Sequence, residues 1–177
     1  MSDEWLLKIC SIGTYQVGKT SLIRRYAENK FETDYLPTIG VDITTKRITL
    51  NNQKIKLILV DTAGQEAFGK IRQSYYMGSA ACIAVYDVTS RESFKELEYW
   101  INDFYSGDKD RNVPLSVIGN KVDLETDRKV STEEGEEFAS QNGFLFYECS
   151  AKLGGPLIPQ IYSDLIQKYL TISGVNP

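Results

Sequence analysis

Eight residues near the start leave this chain few choices of fold: Gly13-Thr14-Tyr15-Gln16-Val17-Gly18-Lys19-Thr20. They follow an apolar run, Trp5 to Ile12, and open an amphipathic stretch, and they fit the pattern G-x-x-x-x-G-K-[ST]. The glycines let backbone N–H groups curl around a phosphate, and a helix N-terminus adds donors and a favourable dipole. Lys19 would reach the β- and γ-phosphates, and the Thr20 hydroxyl would ligate Mg²⁺. The phosphate-facing set is therefore Gly13, Tyr15, Gln16, Val17, Gly18, Lys19, Thr20 and Ser21. Such a loop works only between a strand and a helix, which predicts a strand ending at Ile12 and a helix from Lys19 to Asn29.

The remaining sequence continues that alternation of short apolar runs and amphipathic stretches, the pattern of a mostly parallel α/β sheet. Residues 30 to 40 read as a loop with Pro37 and Gly40 as breakers. Val41 to Leu50 and Lys54 to Asp61 alternate around Asn51-Asn52, which predicts a hairpin. Further strands are expected at Ala81 to Tyr86, Val113 to Gly119 and Phe144 to Glu148. One helix is expected over Arg91 to Ser106, with Phe94, Leu97, Trp100, Ile101 and Phe104 on one face. Ser131 and Glu134 form a capping box for another that ends near Gly143, and the last begins near Pro156. The expectation is six strands, one of them antiparallel, with about five helices. Residues 1–170 would form one domain and 171–177 a short extension.

In such sheets ligands bind at the carboxyl ends of the strands, so the chemical motifs should follow strands. They do. Asp123, in Asn120-Lys121-Val122-Asp123, offers acceptors only, which suits the adjacent N1–H and N2–H₂ of guanine and not adenine. Asn120 would tie loops together, and Lys121 would lie along the base. Backbone N–H groups in Ser150-Ala151-Lys152 could meet the guanine O6. Asp61, at the next strand end, suits a Mg²⁺-bound water opposite Thr20. Gly64 could bring its N–H to the γ-phosphate, and Gln65 carries the donor and acceptor needed to orient an attacking water. Gln65 and Lys19 are thus the catalytic candidates.

Composition narrows the rest. There is no histidine, so His-based bases and His-ligated metals are excluded. The net charge of −4 argues against non-specific nucleic-acid binding. Cys10, Cys82 and Cys149 are dispersed in apolar runs, as buried thiols of a reducing compartment would be. The acidic N-terminus and the lack of a long apolar run predict a cytoplasmic protein.

With four motifs in order, the chain resembles the Ras superfamily of small GTPases, its Rab branch in particular, from about Trp5 to Leu170. The resemblance implies a six-stranded G domain that binds GTP or GDP with Mg²⁺, hydrolyses GTP slowly and acts as a switch in trafficking or signalling. It further implies that Phe31 packs on the guanine, and that Tyr35, Pro37 and Thr38 belong to a first switch in which Thr38 ligates Mg²⁺ in the GTP form. Gly64 and Gln65 would belong to the second. Ile39-Gly40-Val41-Asp42-Ile43 and Tyr75-Tyr76-Met77-Gly78-Ser79-Ala80 look like Rab signatures. Effectors, exchange factors and activators would dock through residues 35–46 and 64–80. The sequence departs from the family at Val60, where Rabs usually carry Trp, and at Tyr15 and Gln16, where family members favour small residues. It ends without the prenylated cysteines of a Rab tail, so this end does not support membrane attachment, and a peripheral membrane protein is expected only if a lipidated tail is missing from it. Two other classes stay open: a GTP-binding scaffold with impaired hydrolysis or insensitive to arginine-finger activators, and an ATP-using P-loop enzyme, against which Asn120, Lys121 and Asp123 argue.

Overall fold

A computed structural model of the chain describes residues 4–33, 37–64, 69–107 and 112–174. The first strand, β1 (Trp5–Ile12), and the first helix, α1 (Lys19–Glu28), flank the phosphate loop as the motif requires. Gly18 caps α1 at φ 99°, and Asn29 ends it in the left-handed region at φ 54° with its N–H on the Arg25 carbonyl.

β2 (Val41–Leu50) and β3 (Gln53–Thr62) pair antiparallel from Val41↔Thr62 to Leu50↔Gln53. Asn51 and Asn52 carry φ of 50° and 62°, the two positive angles that a tight hairpin turn needs. Beyond the ladder the Ala63 N–H still reaches the Gly40 carbonyl at 2.9 Å. β4 (Ala81–Asp87), β5 (Leu115–Asn120) and β6 (Leu145–Cys149) complete a six-stranded sheet in the order β2-β3-β1-β4-β5-β6. Every pairing except β2 with β3 is parallel.

Period-two alternation sorts the strands into two cores, one on each face. Leu7, Ile9, Leu57, Leu59, Ile83 and Val85 face α1 and α6 (Leu157–Ile172). Cys10, Ile12, Val60, Cys82, Ala84 and Tyr86 face Leu97, Trp100 and Phe104. All three cysteines are buried and none is in a disulfide. Complete burial of each large aliphatic side chain stabilises the sheet by about 1.5–3 kcal/mol, which makes it a firm platform for loops.

Six α-helices flank the sheet among the described residues, where about five were expected and four were given bounds. One addition is α2 (Gly69–Tyr76), which is short and weakly amphipathic and so leaves little trace in the sequence. The other comes from the expected helix over Arg91 to Ser106, which is broken in two: α3 (Arg91–Lys95) and α4 (Leu97–Gly107) meet at Glu96. Its apolar face continues across the break, so periodicity alone could not reveal it. Strand bounds also shift: β5 starts at Leu115 rather than Val113 and reaches Asn120, and β6 runs to Cys149. α5 (Thr132–Gln141) opens with the expected capping box between Ser131 and Glu134. Between β5 and α5, Val122–Asp127 form a 3₁₀ stretch.

Candidate nucleotide site

Loops leaving β1, β3, β5 and β6 meet at one edge of the sheet. Because β2 runs the opposite way, the segment that enters it arrives at the same edge. Together they enclose a cleft of ≈ 280 Å³. Its lining includes Tyr15, Gln16, Gly18, Lys19, Thr20, Ser21, Phe31, Thr38, Gly64, Asn120, Lys121, Asp123, Ala151 and Lys152. Residues as far apart in the chain as Tyr15 and Lys152, judged only by type and order, thus share one wall. Gly13, Val17, Asp61 and Ser150 stand behind that lining and hold it. Tyr35 and Gln65 lie outside the described residues.

One end of the cleft is closed by reciprocal hydrogen bonds. Asn120 donates through Nδ2 to the Val17 carbonyl at 2.9 Å and accepts through Oδ1 from the Ala151 N–H at 3.1 Å. It therefore ties the phosphate loop to the loop after β6. That Ala151 N–H, expected to face a base oxygen, is thus engaged by Asn120 here. The Ser150 hydroxyl donates to Asp123 Oδ1 at 2.5 Å and accepts from the Leu153 N–H at 3.0 Å. Lys121 is held by Asp87, Nζ to Oδ2 2.6 Å, at the end of β4. Gly18 is required here twice over: its φ is positive, and a Cβ would lie 2.2 Å from Asn120 Nδ2.

The other end gathers charge. Lys19 Nζ donates to the carbonyls of Gly13 at 2.8 Å and Thr14 at 2.9 Å. Burial lowers its pKa to about 8, against the pull of Asp61, with Arg72 adding to the depression. Burial also raises the Asp61 pKa, an effect that the Thr20 hydroxyl and Lys19 oppose. Thr20 Oγ1 donates to Asp61 Oδ2 at 2.5 Å and lies 2.9 Å from Thr38 Oγ1, which is 3.1 Å from the same carboxylate oxygen. Asp61 Oδ1 is buried with no hydrogen-bond partner. Two hydroxyls and a carboxylate converging beside an orphaned carboxylate oxygen fit a hard divalent cation that takes few protein ligands. Among the described residues no group of three His, Cys, Asp or Glu offers a fuller cage. Gly64 sits directly against the phosphate loop: a Cβ there would lie 2.4 Å from the Tyr15 nitrogen and 2.7 Å from Lys19 Nζ.

Arg24, Glu32, Thr33, Thr62 and Leu124 also line the cleft and were not anticipated. For Arg24 a signal existed, since it follows Thr20 and Ser21 at the i+4 and i+3 spacing of one helix face. Arg24 and Glu32 form an ion pair at the rim.

A phosphate loop on the first strand, a carboxylate above the fifth and a cation-shaped cluster between them define a P-loop nucleotide-binding domain. Comparison with known proteins is more specific. The sequence profile of the Ras family matches residues 8–171. Ras-related protein RABC1 of Arabidopsis thaliana is 44% identical over 170 residues, which cover 94% of this chain and 78% of the relative. Ras-related protein Rab-2B of Dictyostelium discoideum is 43% identical over 154 residues, covering 85% of this chain and 74% of the relative. The chain belongs to the Ras family, as a Rab-like member. Proteins of this family are GTPases that bind GTP or GDP with Mg²⁺ and work as switches read by regulators and effectors. Among the described residues no helix is long and apolar enough to cross a membrane.

Proposed function

We propose that the cleft holds GTP, hydrolyses it slowly to GDP and phosphate, and reports the difference through its two flanking loops, in the service of membrane traffic. The observation that carries this reading is the joining of the Lys19 loop and Asp123 in one cleft through Asn120. The Asp123 carboxylate accepts from the guanine edge, with Lys121 and Phe31 along the base and Ala151 and Lys152 beside it. Lys19, Ser21 and the backbone N–H groups from Tyr15 to Thr20 take the phosphates. Thr20 and Thr38 would hold Mg²⁺ directly and Asp61 through water, where the ion would neutralise phosphate charge. Gln65 orients water for in-line attack on the γ-phosphate, and Lys19 and the N–H of Gly64 stabilise the charge that develops there. No side chain of this set is a strong general base, so rate enhancement rests on positioning and turnover is slow.

On loss of the γ-phosphate, Thr38 and Gly64 lose their shared partner and the loops relax. Effectors, exchange factors and activators read that change through residues 35–46 and 64–80. Exposed apolar side chains support this surface: Ile39 is 82% exposed, and Ile43, Tyr75 and Met77 lie open as well. Single-turnover hydrolysis of bound GTP, followed by chromatography of the released nucleotide, tests the reading. Retention of ATP in preference to GTP, or GTP unchanged over many hours, would overturn it.

A second reading rests on Tyr15, which lines the cleft beside Gly64 and is 39% exposed. There the ring would obstruct an arginine supplied by an activator, leaving a scaffold with little stimulated hydrolysis. Tyr15→Gly should then restore stimulation by an activator, and equal rates in both proteins would sink this reading.

A further inference from the structure

The phosphate loop is fixed from a direction that its motif does not predict. Thr14 uses its hydroxyl twice: it donates to a Glu96 carboxylate oxygen and accepts from the Trp100 indole N–H at 3.0 Å. Glu96 is the residue at which α3 and α4 part, and the break directs its side chain toward the loop rather than along a helix face. Trp100 is buried one turn further on. Its ring carries the Arg72 guanidinium 4.7 Å from the ring centre. The Arg72 side chain is 0% exposed; Nε lies 3.3 Å from Asp103 Oδ2, and Nη1 donates to the Ala63 carbonyl at 3.5 Å. Ala63 precedes Gly64, whose backbone packs on the Thr14–Tyr15 peptide, where a Cβ would come within 2.5 Å of the Thr14 carbonyl carbon. The contacts thus close on themselves: Thr14, Trp100, Arg72, Ala63-Gly64 and back to Thr14.

We propose that Glu96 and Trp100 are positioning residues for the phosphate loop, acting through the Thr14 hydroxyl. Arg72 ties the same tryptophan to the segment that ends in Gly64, so α4 sets how firmly the loop holds the nucleotide's phosphates. This rests on the nucleotide reading given above. A hydroxyl that both donates and accepts has its orientation fixed by two partners, and the Thr14–Tyr15 peptide is held with it. With the hydroxyl gone, the loop keeps its fold and loses its registry against the phosphates. The pairs act as a unit, so losing either partner of Thr14 should cost nearly as much as losing both.

Release of a fluorescent GDP analogue from the intact chain tests this. Thr14→Val keeps the shape and removes the hydroxyl; Thr14→Ser keeps the hydroxyl and removes the methyl. Trp100→Phe keeps a ring beneath Arg72 and removes the N–H. Thr14→Val and Trp100→Phe should each speed release roughly five-fold, the scale of one hydrogen bond. Thr14→Ser should stay within about two-fold of the wild type, and the double variant should release no faster than the faster single one. A packing role for Thr14 would reverse the order of Val and Ser, and that result would overturn the proposal. So would wild-type rates in Thr14→Val, or single effects that multiply in the double variant. A wild-type chain unable to hold the analogue at all would instead overturn the nucleotide reading, and this proposal with it.

Discussion

The two ends of the cleft are built on opposite terms. At the Asp123 end the polar groups have met one another: Asn120 with Val17 and Ala151, Ser150 with Asp123 and Leu153, Lys121 with Asp87. At the Lys19 end, burial works against the charge on both Lys19 and Asp61, and one Asp61 oxygen has no partner. Buried polar groups cost least when hydrogen-bonded and most when orphaned. One end is therefore internally satisfied, and under the proposed function it is the end that selects; the other is an incomplete set of charges that a bound ion and phosphates would complete.

The sharpest break of that comparison is Asp123→Asn. An amide turns an NH₂ toward guanine donors, so GDP affinity should fall on the order of 10³-fold in competition binding, and a loss under tenfold would deny Asp123 its part in selection. Gly64→Ala strikes the opposite end. With a Cβ 2.4 Å from the Tyr15 nitrogen, the Gly64 N–H must move, and single-turnover hydrolysis should slow about 10²-fold while GDP affinity stays within about threefold. Equal losses in both quantities would mean that the ends are not separable. Chelation of Mg²⁺ should then speed GDP release roughly tenfold in the wild type and by a smaller factor in Asp61→Ala. Identical factors would remove Asp61 from the cation's surroundings.

Alkaline pH gives a smaller effect. Burial pushes the Cys149 thiol, next to Ser150, from 9.0 up to about 12, and the buried Tyr26 hydroxyl from 10.0 up to about 12. The folded chain holds these protons more tightly than the unfolded one. Their contribution is whole below about pH 9 and drains away as the pH climbs toward 12. The melting temperature should decline across that interval, and all three cysteines should resist thiol reagents at pH 8 until the protein is unfolded; ready labelling of Cys149 in the native state would contradict its burial. Smallest of all is Ser131→Ala, remote from both ends. Loss of the cap should lower the melting temperature by about 2–4 °C, with release and hydrolysis unchanged.

Local chemistry made much of this legible in advance. The bounds of β1 follow from one apolar run and one loop motif, the hairpin from alternation around two asparagines, and the start of α5 from a capping box. Much of the cleft lining followed because four motifs sit at or just after strand ends, whereas Phe31 and Thr38 came from the family resemblance alone and Arg24, Glu32, Thr33, Thr62 and Leu124 were not anticipated. Tertiary contacts hid the rest. α2 packs through Arg72 and Tyr76, which share Asp103 on α4, and no local pattern records that. The break at Glu96 interrupts no hydrophobic period, and its partner Thr14 lies 82 positions away. Tyr35 and Gln65 were also expected at the site and lie outside the described residues.

The hairpin has a mechanical consequence. Thr38 and Gly64 are attached to opposite arms of one antiparallel ribbon, and the bond from the Ala63 N–H to the Gly40 carbonyl locks those arms together just where they leave the sheet. On the proposed reading, a phosphate held by both Thr38 and Gly64 bridges the two arms just beyond this lock, so its loss should free both segments from one shared root.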